Sequence, residues 1–546
     1  SLSLDGLRLA IGAPNDDGGS TPIFDSGAVY VYSFAAGDFS GGTLEARLGT
    51  FYTGLNDFDT NGAAGDLFGQ SVALRGVQLV VGAVGNDGRN GTQNNAGAVY
   101  LFTTSSGFTD ISQAGIIGVD YLGSARDFDL KLAKGEQFGA AVAFDGERLV
   151  VGASGNAGRN GSAPGSGAAY LFTFAGTDFG NTRLIDKLGA GYTGFSNLSV
   201  PGLEPGDEFG FAVSLDGNRL AVGAPGDRGA FNSLSFSGAV YLFSFADLAF
   251  GAPVLEAVIG LDYSGGKNLS VPINGFEQFG SSVSLDGLQL AVGAPGNAGA
   301  LGSAGAAGAV YLFNFTDLLF SGASLQATIG LGYAGARDID LTQLATDDAF
   351  GRSVALSGTR LAVGAPGDDG LGGSAVDSGA VYLFSFADAQ FNSGIFEGTI
   401  GFGYQVGAKD LDINRPDTQL EAGDAFGTSV AFDGLRLLVG APGDRGLGNN
   451  LANAGAVYSI AFNDAVFNLP QLIGIIGSGY GESNDTDISF LGAADQFGAA
   501  VSASGGRLVV GAPGDSGADD SVGGSGKAYL FSLSNGTYTQ IGAIGR

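Results

Sequence analysis

The chain contains no cysteine, histidine, methionine or tryptophan. Without cysteine there is no disulfide framework, thiolate zinc site, iron–sulfur cluster or thiol nucleophile. Without histidine the commonest base, proton shuttle and transition-metal ligand is missing too. Ser-His-Asp and Cys-His catalysis are thereby excluded. Long apolar runs are also lacking: none approaches the roughly 20 residues that cross a bilayer, so the chain reads as soluble, with no membrane insertion. Basic residues are scarce, 24 Lys and Arg against 54 Asp and Glu, for a net charge of −30. Such a surface repels nucleic acid and anionic lipid, because the phosphate-neutralising basic patch is absent. Cations are the more natural partners, and the alternative is that the charge only keeps an apolar, strand-rich chain in solution. No initiating methionine and no cleavable leader stand near Ser1, which reads as a mature form or an excerpt.

What is abundant is glycine, 100 residues of 546, against only 14 prolines. Apolar residues still make up 44% of the chain, enough for a large core, so the glycine belongs to turns and not to disorder. The turns recur. A Gly-Ala pair places equivalent glycines at Gly12, Gly82, Gly152, Gly223, Gly293, Gly364, Gly440 and Gly511, spaced by 70 or 71 residues except for one step of 76. A fixed period of this size marks a propeller, a solenoid or a tandem array.

Each repeat carries four punctuated apolar segments. "FGRSVALSG" from Phe350 alternates as a half-buried strand, and "RLAVGAP" from Arg360 is apolar throughout, as suits a strand covered on both faces. "SGAVYLFSF" from Ser378 and "EGTIGFGY" from Glu397 complete the set. A parallel β-helix would need shorter coils. Four short strands with Gly and Asp turns and no helical period predict an all-β fold, a single β-propeller of eight four-stranded blades. The alternative is a seven-bladed ring plus an extra unit. The units run approximately 1–70, 71–140, 141–211, 212–281, 282–352, 353–428, 429–499 and 500–546 of one domain.

Phe-Gly followed by "VGAP" and "SGAVYLF" resembles the FG-GAP repeat of integrin α-chain heads and of many bacterial secreted and surface proteins. Phe-Gly stands at Phe68, Phe138, Phe209, Phe279, Phe350, Phe426 and Phe497. The resemblance implies a propeller, usually extracellular or on the cell surface, used for adhesion, assembly or presentation of a binding face. Two features depart from that family. Integrin-like heads have seven blades, and their calcium loop, D-x-D-x-D-G between the first two strands, is replaced here by short turns such as "LDGLR" and "SGTRL". Such turns are too short to surround calcium with its six to eight oxygens.

Three repeated features are candidates for chemistry. The first is an Asx after the GAP motif: Asp16, Asn86, Asn156, Asp227, Asn297, Asp368, Asp444 and Asp515. Free exchange of Asp with Asn beside glycine points to an Asx-turn, with a ring of ion ligands as the alternative. A phosphate cradle would need a following helix and a lysine, and a strand follows instead. The second is a pair of aspartates after the fourth strand: Asp57 and Asp59, Asp127 and Asp129, Asp338 and Asp340, Asp410 and Asp412, Asp485 and Asp487. Residues i and i+2 on an extended segment point the same way, so each pair is a weak Ca2+ candidate. The competing reading is a charged edge kept from pairing. The third is an acid two residues before each Phe-Gly, Asp66, Glu136, Asp207, Glu277, Asp348, Asp424 and Asp495, expected to cap a turn or accept backbone N–H bonds where repeats meet. The Phe is expected to wedge between repeats, and the third-strand tyrosines, Tyr30 through Tyr529, to pack with their hydroxyls at a rim.

No unit stands out as an active site, so no catalytic residue and no cofactor beyond possible Ca2+ is assigned. The expected function is a non-catalytic extracellular structural or adhesive scaffold, able to assemble into a surface layer, sheath or fibre. Its partners would be other copies of itself or a surface protein or glycan. The alternative is a carboxylate-dependent hydrolase of the glycoside-hydrolase kind, which needs only two suitably spaced acids.

Overall fold

A computed structural model describes the chain except residues 6–7, 15–22, 34–42, 52–56, 105–110, 123–125, 195–196, 303, 389, 414–419, 481–484, 490, 505–506, 515–526, 535–536 and 546. The described residues are all-β apart from one 3-10 turn at Arg159–Gly161. The chain divides into two compact units. One comprises Ser1–Ala35, Gly41–Gly275 and Leu318–Ser321, and the other Ala36–Ser40, Phe276–Asp317 and Gly322–Arg546.

The repeat around residue 364 shows how sequence becomes sheet. Its strands are Ser353–Ser357, Arg360–Ala365, Ala380–Ser385, Ile395–Gly401 and the two-residue Leu411–Asp412. The first four pair antiparallel, with Val354 opposite Val363, Val363 opposite Tyr382 and Val381 opposite Ile400. A bulge falls between Leu383 and Phe384. The fifth strand runs parallel to the fourth, Ile400 opposite Leu411. Second and third strands are buried on both faces, as their unbroken apolarity predicts.

This architecture corrects the expected closed ring of eight four-stranded blades. Seven of the described sheets are five-stranded and mixed, and one has four strands. Successive repeats stack turn upon turn through parallel backbone bridges in one register: Gly27 with Phe68, Gly97 with Phe138, Gly167 with Phe209, Gly308 with Phe350, Gly379 with Phe426 and Gly455 with Phe497. Within each unit the repeats form a β-solenoid of stacked coils, not a closed propeller. Four apolar segments per repeat fit either arrangement. The fifth strand and the parallel bridges, which distinguish them, are too short to show a period in the sequence.

Three further contacts lock one coil to the next. A first-strand serine reaches the carbonyl of the Phe-Gly that stands before the following sheet: Ser71 to Gly139 at 2.7 Å, Ser353 to Gly427 at 2.9 Å and Ser429 to Gly498 at 2.8 Å. That same carbonyl lies against the second-strand glycine, so a Cβ built at Gly364 would stand 1.9 Å from Gly427 O. The Phe fills the space between sheets, as expected. Phe350 packs edge-on to Tyr382 and Phe384 of the sheet that follows it, in one cluster with Val310 and Leu312 of the sheet before.

Candidate functional site

The paired aspartates are brought to the seam between the fourth and fifth strands, and there they accept backbone N–H groups. The first of each pair takes an N–H of the fourth strand: Asp57 from Arg47 at 3.0 Å, Asp127 from Ile116 at 3.0 Å, Asp338 from Thr328 at 2.8 Å, Asp410 from Thr399 at 2.9 Å and Asp485 from Ile475 at 2.8 Å. The second takes an N–H of the following turn: Asp59 from Phe51, Asp129 from Asp120, Asp340 from Gly332, Asp412 from Gly403 and Asp487 from Gly479. Where the sequence has "KNLSV", Asn268 and Ser270 accept the equivalent bonds from Val258 and Asp262. An uncharged side chain therefore serves as well. Among the described residues no three acidic side chains come together as a metal-binding group.

This placement sets a test. Asp410 accepts Thr399 N–H at 2.9 Å and Gly407 N–H at 2.6 Å. Asp410→Ala leaves both donors without an acceptor and is expected to lower the unfolding free energy by about 1–3 kcal/mol. Asp410→Asn keeps one acceptor and should lose clearly less in the same urea titration. Equal losses would show that the charge matters and not the backbone bonds.

The second and third sequence features meet in one buried cluster per repeat. The Asx closes its turn as expected, its Oδ1 accepting the N–H of the glycine two residues on: Gly88, Gly158, Gly229, Gly299, Gly370 and Gly446, at 2.7–2.9 Å. Asp16 and Asp515 lie outside the described residues. The acid before Phe-Gly caps its own turn by accepting the N–H three residues back, as in Asp348 from Ala345 at 2.8 Å and Asp424 from Glu421 at 2.7 Å. Around the Asx stand two tyrosines. Tyr382 donates to Asp368 Oδ2 at 2.5 Å and Tyr404 donates to the same oxygen at 3.0 Å. Tyr458 and Tyr480 do the same at Asp444.

The third-strand tyrosine hydroxyls are thus held inside the cluster and not at an open rim. The second tyrosine, Tyr121, Tyr192, Tyr263, Tyr333, Tyr404 or Tyr480, was missed as a site residue. Its signal was present in the sequence, a tyrosine three residues after the glycine that ends each fourth strand. Burial raises the pKa of every one of these phenols, so they stay donors.

In the third repeat Lys187 lies 4.4 Å over the ring of Tyr170 and 4.2 Å over that of Tyr192, and burial brings its amine down to about 8. In the second repeat Ile116 stands opposite the equivalent Tyr100. There a cavity of about 520 Å3 opens, lined by Phe58, Asp59, Asp66, Asn86, Arg89 and Tyr121 among others. Burial pushes Asp66 up to about 6.

The FG-GAP repeat model matches residues 58–102, 132–172, 197–243, 274–313, 343–384, 418–461 and 491–531, more than half of the sequence, and the chain belongs to that family. No curated protein matches it. Among solved structures it is similar to Sqt1 of Saccharomyces cerevisiae, 9% identical over 87% of this chain and 84% of that one, TM-score 0.43. It is also similar to the periplasmic gluconolactonase of Pseudomonas aeruginosa, 13% identical over 84% of this chain and 93% of that one, TM-score 0.42. At these scores neither likeness bears on activity. No described helix is long and apolar enough to cross a membrane.

Proposed function

We propose that the chain is a non-catalytic structural or adhesive scaffold working outside the cell, offering a repeated surface to further copies of itself or to a surface protein or glycan. One observation carries this reading. The same acid, Asx and tyrosine cluster recurs from repeat to repeat, and the Asx oxygens in it are taken up by internal turns and phenols. A group used in six described repeats to hold a turn is a scaffold group. Membership of the FG-GAP family and a net charge of −30 agree with a surface that meets cations and glycans more readily than nucleic acid. Static light scattering over rising protein concentration, with and without calcium, and glycan-surface binding are the measurements. Association or glycan capture is expected, and a strict monomer that binds no glycan would overturn the reading.

A carboxylate-dependent hydrolase is the second reading, and the cavity of the second repeat favours it. Asp59 and Asp66 both line that cavity, and burial holds the Asp66 carboxyl at about 6. If the cavity is catalytic, Asp66→Asn abolishes turnover of a glycoside panel while the corresponding change Asp424→Asn does not. No turnover by the wild type removes this second reading.

A further inference from the structure

We propose that three repeats each hold one proton between two buried carboxyl groups, Asp207 with Asp227, Asp348 with Asp368 and Asp424 with Asp444, in the place that an asparagine amide fills in neighbouring repeats.

The backbone around the pair is the same in both kinds of repeat. The glycine before the Asx donates its N–H to the acid's carbonyl: Gly85 to Asp66 at 3.0 Å, Gly226 to Asp207 at 3.1 Å, Gly367 to Asp348 at 3.1 Å and Gly443 to Asp424 at 3.0 Å. The Asx Oδ1 is pinned in both by its own turn. Its other terminal atom points into the cluster, where in Asn297 it donates to Tyr311 and Tyr333 and in two other repeats it reaches the acid. In Asn86 that atom is Nδ2, which donates to Asp66 Oδ2 at 3.1 Å, and in Asn156 it donates to Glu136 Oε2 at 2.8 Å. In Asp227, Asp368 and Asp444 it is an oxygen that already accepts from two tyrosines.

The facing acid is left short of a donor. Asp207, Asp348 and Asp424 are each 1% exposed. Their Oδ2 atoms accept the N–H of Glu204, Ala345 and Glu421, while each Oδ1 is buried without a hydrogen-bond partner. Two carboxylates side by side out of water repel, and a single shared proton turns the repulsion into a hydrogen bond.

The other charged groups near each pair do not supply that donor. Near Asp207 are Glu204 and Arg228, whose guanidinium is turned to Pro205 O. Near Asp348 and Asp368 are Asp347 and Asp369, which add negative charge. Near Asp424 and Asp444 are Glu421 and Arg445, the latter turned to Ala422 O. From the third strand and the turn after the fourth, the tyrosine pairs Tyr241 and Tyr263, Tyr382 and Tyr404, and Tyr458 and Tyr480 face in. Burial first, and the partner carboxylate second, raises Asp207 to about 7 and Asp348 and Asp424 to about 8.

The folded state then binds more protons than the unfolded chain, whose aspartates titrate near 4. Stability from these pairs is whole below about pH 4 and falls as the pH rises towards about 8. Melting curves of the full chain from pH 5.5 to 9 are the test, comparing wild type with the triple variant Asp227→Asn, Asp368→Asn, Asp444→Asn. The wild type is expected to lose melting temperature steadily up to about pH 8, with the pH slope reporting uptake of about one proton per pair. The variant is expected to lose less and to level off above about pH 7, as befits acids that face an asparagine as Asp66 does, at about 6. Infrared spectra of the wild type at pH 6 should show a protonated carboxyl stretch. That readout stands even if the variant does not fold. A level wild-type curve, an equal slope in a folded variant, or no protonated carboxyl band would overturn the proposal. Calcium that restores stability at pH 9 and is reversed by chelator would also overturn it, by making each pair a metal site.

Discussion

Gly364→Ala should be among the most damaging single changes in the chain, although it adds one methyl group. The methyl carbon would stand 1.9 Å from Gly427 O and 2.4 Å from the hydroxyl of Ser353, which itself bonds that carbonyl. A backbone carbonyl fixed by the next coil cannot swing away like the end of a flexible side chain, so the two coils must part. The expected loss is at or above the upper end of the roughly 1–3 kcal/mol that overpacking costs. Gly440→Ala should behave alike, its Cβ falling 1.8 Å from Gly498 O. Gly305→Ala is the control, because its Cβ meets nothing nearer than Thr346 Cγ2 at 4.0 Å. Urea unfolding of the three variants decides the matter. If Gly364→Ala and Gly305→Ala unfold at the same midpoint, the close approach of coils is wrong.

Phe350→Ala should cost about 3–5 kcal/mol, the range for emptying a phenylalanine site in a packed interior. Phe350 is completely buried, with its ring centroid 5.3 Å from that of Tyr382 and 6.2 Å from that of Phe384. It also fills the space against Val310 and Leu312 of the preceding sheet. Coils that stack in series depend on their nearest neighbours, so an early, partial transition is expected ahead of the main one. Tyrosine fluorescence and circular dichroism followed together through urea should therefore separate. A single transition within about 1 kcal/mol of wild type would show that the Phe is no wedge.

Much of the local structure was legible. The Asx-turn at Asp368, the cap by Asp348 and the doubly buried strand Arg360–Ala365 follow from residue type and spacing alone. The role of Asp410 and its equivalents was not. A paired carboxylate on an extended segment looks the same whether it awaits a cation or a backbone N–H, and only the fourth strand brought alongside supplies the N–H. The second tyrosine escaped for a related reason. Tyr404 reaches Asp368 across the fold of the repeat, a contact that no short-range period announces.

Strand positions, turn chemistry, the repeat and the family are properties of short windows, because side-chain alternation and glycine conformations act over a few residues. How the repeats join is a long-range property. Gly379 must meet Phe426 in parallel register, and a two-residue fifth strand must find the fourth. Those contacts turn the same strands into stacked coils instead of a closed ring. Asp348 and the turn of Asp368 are joined in the same way by the fold of the chain, through the bond from Gly367 N–H to the Asp348 backbone carbonyl.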